Sequence, residues 1–91
     1  MKTYICVKVK ETNKGNVTLN VYRVINNMPK YVTECSYNNG SSRGADSEAF
    51  NALINCNELP KSYYNLSRNA WRGSGYYCDE VRKKGVQIIA L

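Results

Sequence analysis

The chain contains no histidine, one phenylalanine, one tryptophan and two prolines among its 91 residues. Histidine is the side chain that most often moves protons near neutral pH, so its absence removes Ser-His and Cys-His nucleophile activation. Acids are also sparse, at seven Asp and Glu, and only Asp79 and Glu80 are adjacent. That pair stands beside Arg82 and Lys83 and reads as the solvated start of a helix, not as a general acid and base. The four cysteines, Cys6, Cys35, Cys56 and Cys78, are 29, 21 and 22 residues apart, with no C-x-x-C pair and no histidine to complete a zinc site. No apolar run approaches the ~20 residues of a membrane span, and Lys8 and Lys10 interrupt the apolar stretch after Lys2 where a secretory leader would need continuity. These absences lead to the expectation of a non-enzymatic, cytoplasmic protein without cofactor, metal site or membrane contact, its cysteines reduced and buried as small hydrophobes.

What the chain has is positive charge and tyrosine. Thirteen Lys and Arg give a net charge of +6, and eight of the ten aromatics are tyrosines. Such a charge favours polyanionic partners and speeds encounter with them. Tyrosine carries a hydroxyl that needs water or a partner, so a tyrosine-rich domain is suited to a wet face. The length allows one domain, residues 1–91, with one modest core.

Local pattern points to an α+β fold. "TYICVKVK" at 3–10 alternates, with Ile5, Val7 and Val9 on one face and Tyr4, Cys6, Lys8 and Lys10 on the other, which reads as the outer face. "NKGN" turns the chain, and Val17, Leu19 and Val21 then alternate with Thr18, Asn20, Tyr22 and Val24 to form the hairpin partner. "INNMP" makes a second turn before "KYVTECSY", the third strand of an antiparallel meander. The polar loop "NNGSSRGAD" leads to a helix capped by Asp46 or Ser47, with Ala49, Phe50, Leu53 and Ile54 on one stripe and Asn55 to Pro60 ending it. A short helix is expected over 62–72. "YYCDEVRKKG" has the charge order of a helix closed by Gly85, with a strand as the alternative. "VQIIAL" reads as a last strand buried in the sheet, with the helices on one face.

The candidate site is "KSYYNLSRNAWRGSGYY", residues 61–77, in which Lys61, Arg68 and Arg72 alternate with aromatics and no acid intervenes. Aromatic faces stack on unpaired bases while cations neutralise phosphate. On a helix, Tyr64, Arg68 and Arg72 make one i, i+4, i+8 row, with Trp71 at its boundary and Tyr76 beyond. Trp71 is open to a second assignment, as a core residue. Lys8 and Lys10, with Tyr4 beside them and Tyr22 and Asn20 across the hairpin, form a second basic surface. "GSSRG" at 40–44 departs from the phosphate-loop pattern by one residue of spacing and a missing lysine, which leaves Arg43 as an exposed turn cation.

In size and in its Asn-, Lys- and Tyr-rich composition, the chain resembles the small accessory proteins of T4-like phages, including toxin-inhibitory and anti-CRISPR kinds. The resemblance implies a protein that counters a host defence nuclease. The resulting expectation is an RNA-binding protein, monomeric or homodimeric, that acts by occupying RNA or bridging it to the nuclease. The alternative is an inhibitor that binds the nuclease directly and has no nucleic-acid affinity of its own.

Overall fold

The computed structural model describes residues 1–40, 44–63 and 79–91, and the side chains of Asp79 and Glu80 are outside the description. The elements are β1 (Lys2–Glu11), β2 (Asn16–Ile25), β3 (Met28–Asn38), α1 (Ala45–Asn55), α2 (Asp79–Lys83) and β4 (Val86–Ala90). The strands form one mixed sheet in the order β3-β2-β1-β4. The meander expected from the sequence is present, and β4 adds to β1 in parallel, with Lys2 opposite Val86 and Cys6 opposite Ala90. β4 is therefore an edge strand and not a central one. Its Val86 and Ile88 are buried while Gln87 and Ile89 stay exposed.

Both hairpins turn where the backbone must adopt positive φ. Asn26 and Asn27 have φ of 52° and 64° and form the two-residue connection between the paired Ile25 and Met28, the left-handed pair that a tight hairpin requires. Gly15, at φ 81°, serves the first turn, where the Gly15 N–H donates to the Thr12 carbonyl at 3.0 Å. Pro29 is not part of the second turn but pairs with Val24 at the start of β3, a place where an edge strand tolerates a missing donor.

The helices pack on the face of the sheet that displays Tyr4, Cys6, Val17, Leu19 and Val21, all at most 2% exposed. Ala49, Phe50, Leu53 and Ile54 of α1, Leu59, and Val81 of α2 complete that core. The apolar stripe of α1 matches its sequence pattern, but its cap does not. Gly44 is the N-cap and contributes no side chain, while Asp46 lies inside the first turn, its Oδ1 accepting from the Ser47 N–H at 2.8 Å. At the other end Cys56 caps the helix and Asn57 adopts φ 66°. The Asn57 N–H donates to the Ile54 carbonyl at 3.0 Å and the Glu58 N–H to the Leu53 carbonyl at 2.9 Å, the bond pair of a Schellman motif. This turn aims Glu58 back at the sheet and drops Leu59 into the core. Gly85, at φ 86°, ends α2 as its charge order foretold, its N–H donating to the Arg82 carbonyl at 2.9 Å.

Of the helix expected at 62–72, residues 62 and 63 are helical, and 64–72 lie outside the described residues. The expected burial of β1 is inverted. Tyr4 and Cys6 are fully buried, whereas Ile5 and Val7 are half-buried on the opposite face and Val9 is 52% exposed.

The left-handed turn at Asn57 yields a stability test. Asn57→Gly should leave the urea midpoint equal or higher, because glycine accepts this φ without strain. Asn57→Val should lower stability by about 1–2 kcal/mol, the cost of placing a side chain with a branched Cβ in the left-handed region. Equal midpoints for the two variants would show that the turn does not hold this conformation.

Candidate nucleic-acid interface

Tyr4 is buried because its hydroxyl has a partner. The Tyr4 Oη–H donates to Glu58 Oε1 at 3.1 Å, and the same oxygen accepts from Arg23 Nη1 at 3.2 Å. Arg23 sits opposite Tyr4 in the β1/β2 register, so one carboxylate gathers a phenol from β1 and a guanidinium from β2. Burial, then the Glu58 charge and its hydrogen bond, push the Tyr4 hydroxyl well above its ordinary range. Tyr4 therefore stands in the core and not on a basic outer face.

With α1 and α2 on the Tyr4 face, the other face of the sheet has no covering element among the described residues. Register places Thr3, Ile5 and Val7 of β1, Asn20, Tyr22 and Val24 of β2, Tyr31 and Glu34 of β3, and Gln87 and Ile89 of β4 on it. Tyr22 and Tyr31 are directly opposed, their ring centroids 5.9 Å apart and their planes at 81°. Asn20 Nδ2 donates to the Tyr22 hydroxyl at 3.5 Å. The centre of the face is apolar and aromatic, Glu34 is its one acid among these positions, and Lys10, Thr18 and Ser36 continue the same face toward the first turn.

Two bulges shape its borders. On β3, Tyr22 pairs with Tyr31 while Val21 pairs with Thr33, so Val32 is the extra residue, and it packs against the core. On β1, Lys8 is opposite the buried Leu19 and Lys10 opposite Thr18, with Val9 unpaired between them. The bulge thus sends Lys8 and Lys10 to opposite faces, and the second basic surface expected from alternation is not formed as one patch. Lys8 Nζ is also 3.6 Å from Glu11 Oε2, and Glu11 accepts from Asn39 Nδ2 at 2.9 Å. The Asn39 bond and the Lys8 charge hold the Glu11 carboxyl below its usual range. Asparagines occupy this end of the sheet structurally: Asn38 Nδ2 donates to Asn16 Oδ1 at 2.8 Å and to the Lys14 carbonyl at 3.2 Å, tying the first turn to the end of β3.

The opposite end is more basic. β1 and β4 begin there, β2 ends, β3 begins, and α2 delivers its C-terminus there through the Lys2 N–H bond to the Gly85 carbonyl at 2.7 Å. This collects Lys2, Arg23, Lys30, Arg82, Lys83 and Lys84, six cations, against Glu58 and the two acids that open α2 one turn earlier. Lys30, Arg82, Lys83 and Lys84 are exposed. A groove of about 380 Å³ at the β4 edge, lined by Met1, Arg82, Val86, Gln87 and Ile88, opens at this end.

Of the residues selected from the sequence, Lys8, Lys10 and Lys61 are exposed, and Arg43, Tyr64, Arg68, Trp71, Arg72 and Tyr76 lie outside the described residues. Sequence reading passed over Lys30, Tyr31 and the cations of α2 as a group. The signal for Tyr31 was available, since a tyrosine following the hairpin turn falls opposite Tyr22. The signal for the basic end was not, because it depends on β4 returning parallel beside β1. Among the described residues no group of His, Cys, Asp and Glu is arranged to hold a metal ion, and no helix is long and apolar enough to cross a membrane. Comparison of the chain with family models, curated proteins and solved structures finds no match to any of them.

The cysteines in the described residues are free and differ sharply. Cys6 is buried, and desolvation pushes its thiol from an ordinary 9 to about 12, whereas half-buried Cys35 rises to about 11. Cys56 is exposed, contrary to the expectation that all thiols are buried. At pH 8 a thiol reagent should label Cys56 in the folded protein and reach Cys6 only on unfolding. The raised values also set an alkaline limit. The unfolded thiols ionise near pH 9 while the folded ones do not, so stability is complete below that pH and should fall as pH rises toward 12. A urea midpoint that stays flat from pH 8 to about 11.5 would contradict this burial, since ~2.5 units of the window lie above the unfolded thiol value.

Proposed function

We propose that the protein is a non-enzymatic RNA-binding protein. The observation that supports this most directly is the gathering of Lys2, Lys30, Arg82, Lys83 and Lys84, with Arg23 held by Glu58, at one end of the sheet beside a groove. Phosphate contacts by lysine and arginine supply most sequence-independent affinity for nucleic acid, and an end this rich in cations draws a polyanion rapidly. The segment 61–77 adds Lys61, Arg68 and Arg72 with Tyr64, Trp71 and Tyr76 as further candidate contacts. The compositional likeness to phage accessory proteins supports a role against a host defence nuclease, exerted by occupying RNA that the nuclease needs.

The test is binding to single-stranded RNA over a salt series. The logarithm of affinity should fall linearly with the logarithm of salt, with slope about −0.7 for each phosphate neutralised. Lys30→Ala with Lys84→Ala should reduce that slope by about 1.4 and leave the melting temperature nearly unchanged, because exposed charges contribute little to stability. Arg68→Ala with Arg72→Ala measures the contribution of the 61–77 segment in the same assay. Absence of binding at low salt, together with capture of a host protein that persists after ribonuclease treatment, would replace this reading with direct inhibition of a protein.

A further inference from the structure

We infer that the outer edge of β4 is a strand-addition site for an extended peptide with acidic residues toward its C-terminus. The site goes beyond the RNA-binding reading and does not rest on it. The Lys2 N–H donates to the Gly85 carbonyl at 2.7 Å and the Leu91 N–H to the Cys6 carbonyl at 3.0 Å, one bond at each end of the parallel register from Lys2/Val86 to Cys6/Ala90. In such a ladder alternate residues bond to the same neighbour. Gly85, Gln87, Ile89 and Leu91 therefore bond toward β1, and the N–H and C=O of Ile88 and Ala90 are turned outward. Among the described residues no strand pairs with β4 on that side. The space beside it is an open groove of about 380 Å³, lined by Met1, Arg82, Val86, Gln87 and Ile88. Donors and acceptors repeating at two-residue spacing are matched by another extended main chain, which neither a helix nor a nucleic acid supplies.

The two edges of the sheet differ in what they admit. The outer edge of β3 carries Pro29, Lys30 and the extra residue Val32, features that discourage pairing. β4, "VQIIA", has no proline and no charge, and its register with β1 is unbroken. Charge then selects the partner. Lys84 precedes Gly85 and Lys2 is opposite Val86, so cations stand where β4 begins, while residues 85–91 contain none. Antiparallel pairing is the more stable arrangement per residue, and a peptide running in that direction ends beside these cations. Acids therefore belong in its C-terminal part, and an apolar side chain before them meets Met1, Val86 and Ile88 in the groove. A second copy fits this edge poorly, since each copy carries +6 and residues 85–91 offer no acid.

The probes are acetylated Ser-Thr-Val-Thr-Val-Thr-Val-Glu-Glu and its counterpart ending in Gln-Gln, titrated into the full chain and followed by amide exchange. In the free protein the Ile88 and Ala90 amides should exchange faster than those of Gln87 and Ile89, and saturating acidic peptide should slow them. The Glu-Glu peptide should bind about 2- to 30-fold tighter than the Gln-Gln peptide, the range of two exposed ion pairs. Lys2→Gln with Lys84→Gln should abolish that difference. Ala90→Pro removes an outward N–H that bonds nothing in β1, so the urea midpoint should change little while peptide affinity falls about 2- to 12-fold, the range of one hydrogen bond. Ile88 and Ala90 amides that are already slow in the free protein would show the edge covered by this chain or by a second copy, and the inference would fail. It fails equally if the two peptides bind alike, if neither binds, or if folded Ala90→Pro keeps full peptide affinity. RNA affinity should be the same in Ala90→Pro and wild type, so the peptide site and the RNA reading stand or fall separately.

Discussion

One carboxylate decides which face of the sheet becomes the core. Glu58 accepts from the Tyr4 hydroxyl and from Arg23, and without that acceptor a tyrosine at full burial would leave an unpaired O–H in apolar surroundings. Leaving a buried donor unmet costs about 1–3 kcal/mol, a large share of what a domain of this size has to spare. With the bond made, the large ring fills the space under α1, and the smaller Cys6 continues the packing along the strand. The valines and isoleucine of β1 then have only the other face to occupy. The apolar character of the open face is therefore a consequence of where Glu58 is held, and Glu58 is held by the left-handed turn at Asn57.

That dependence explains what the sequence could and could not disclose. The hairpin turns, the stripe of α1 and the glycine end of α2 rest on interactions within a few residues, and all were legible as local pattern. The orientation of β1 was not. Its alternation is unambiguous, but deciding which set faces inward required knowing that Tyr4 would find a partner 54 residues away. The parallel placement of β4 is likewise a property of the return path, because "VQIIAL" is compatible with either direction and either neighbour. The separation of Lys8 from Lys10 was hidden by the bulge at Val9, which converts neighbours in an alternating pattern into residues on opposite faces. The row Tyr64, Arg68 and Arg72 belongs to a segment outside the described residues, and its reading still rests on sequence alone.

The two ends of the sheet show how the same residue types are put to different uses. At the end containing the first turn, asparagines bond one another and backbone carbonyls, and Lys8 is balanced by Glu11. Polar side chains there close a turn and complete the edge of β3. At the other end the cations outnumber the acids, Arg23 is held by Glu58, and a backbone bond from the Lys2 N–H to the Gly85 carbonyl joins β1 to the end of α2. A net charge of +6 alone could not distinguish these situations, since it counts Lys8 and Lys84 equally.

An exposed apolar sheet face is a liability in a small domain, and this fold restrains it at the edge of β3 more than at the centre. Pro29, Lys30 and the bulge at Val32 disturb the outer edge of β3, where an unpaired strand would otherwise invite a neighbour to extend the sheet. The bulge breaks the inward–outward alternation midway along the strand, so a second β3 pairing symmetrically could not match faces on both sides of it. Among the described residues the centre has no comparable protection. Tyr22 and Tyr31 could be replaced by charged residues without loss of core, because neither contributes to the packing beneath α1. The structure thus hinders association through backbone pairing at this edge and, among the described residues, leaves side-chain contact available on the face.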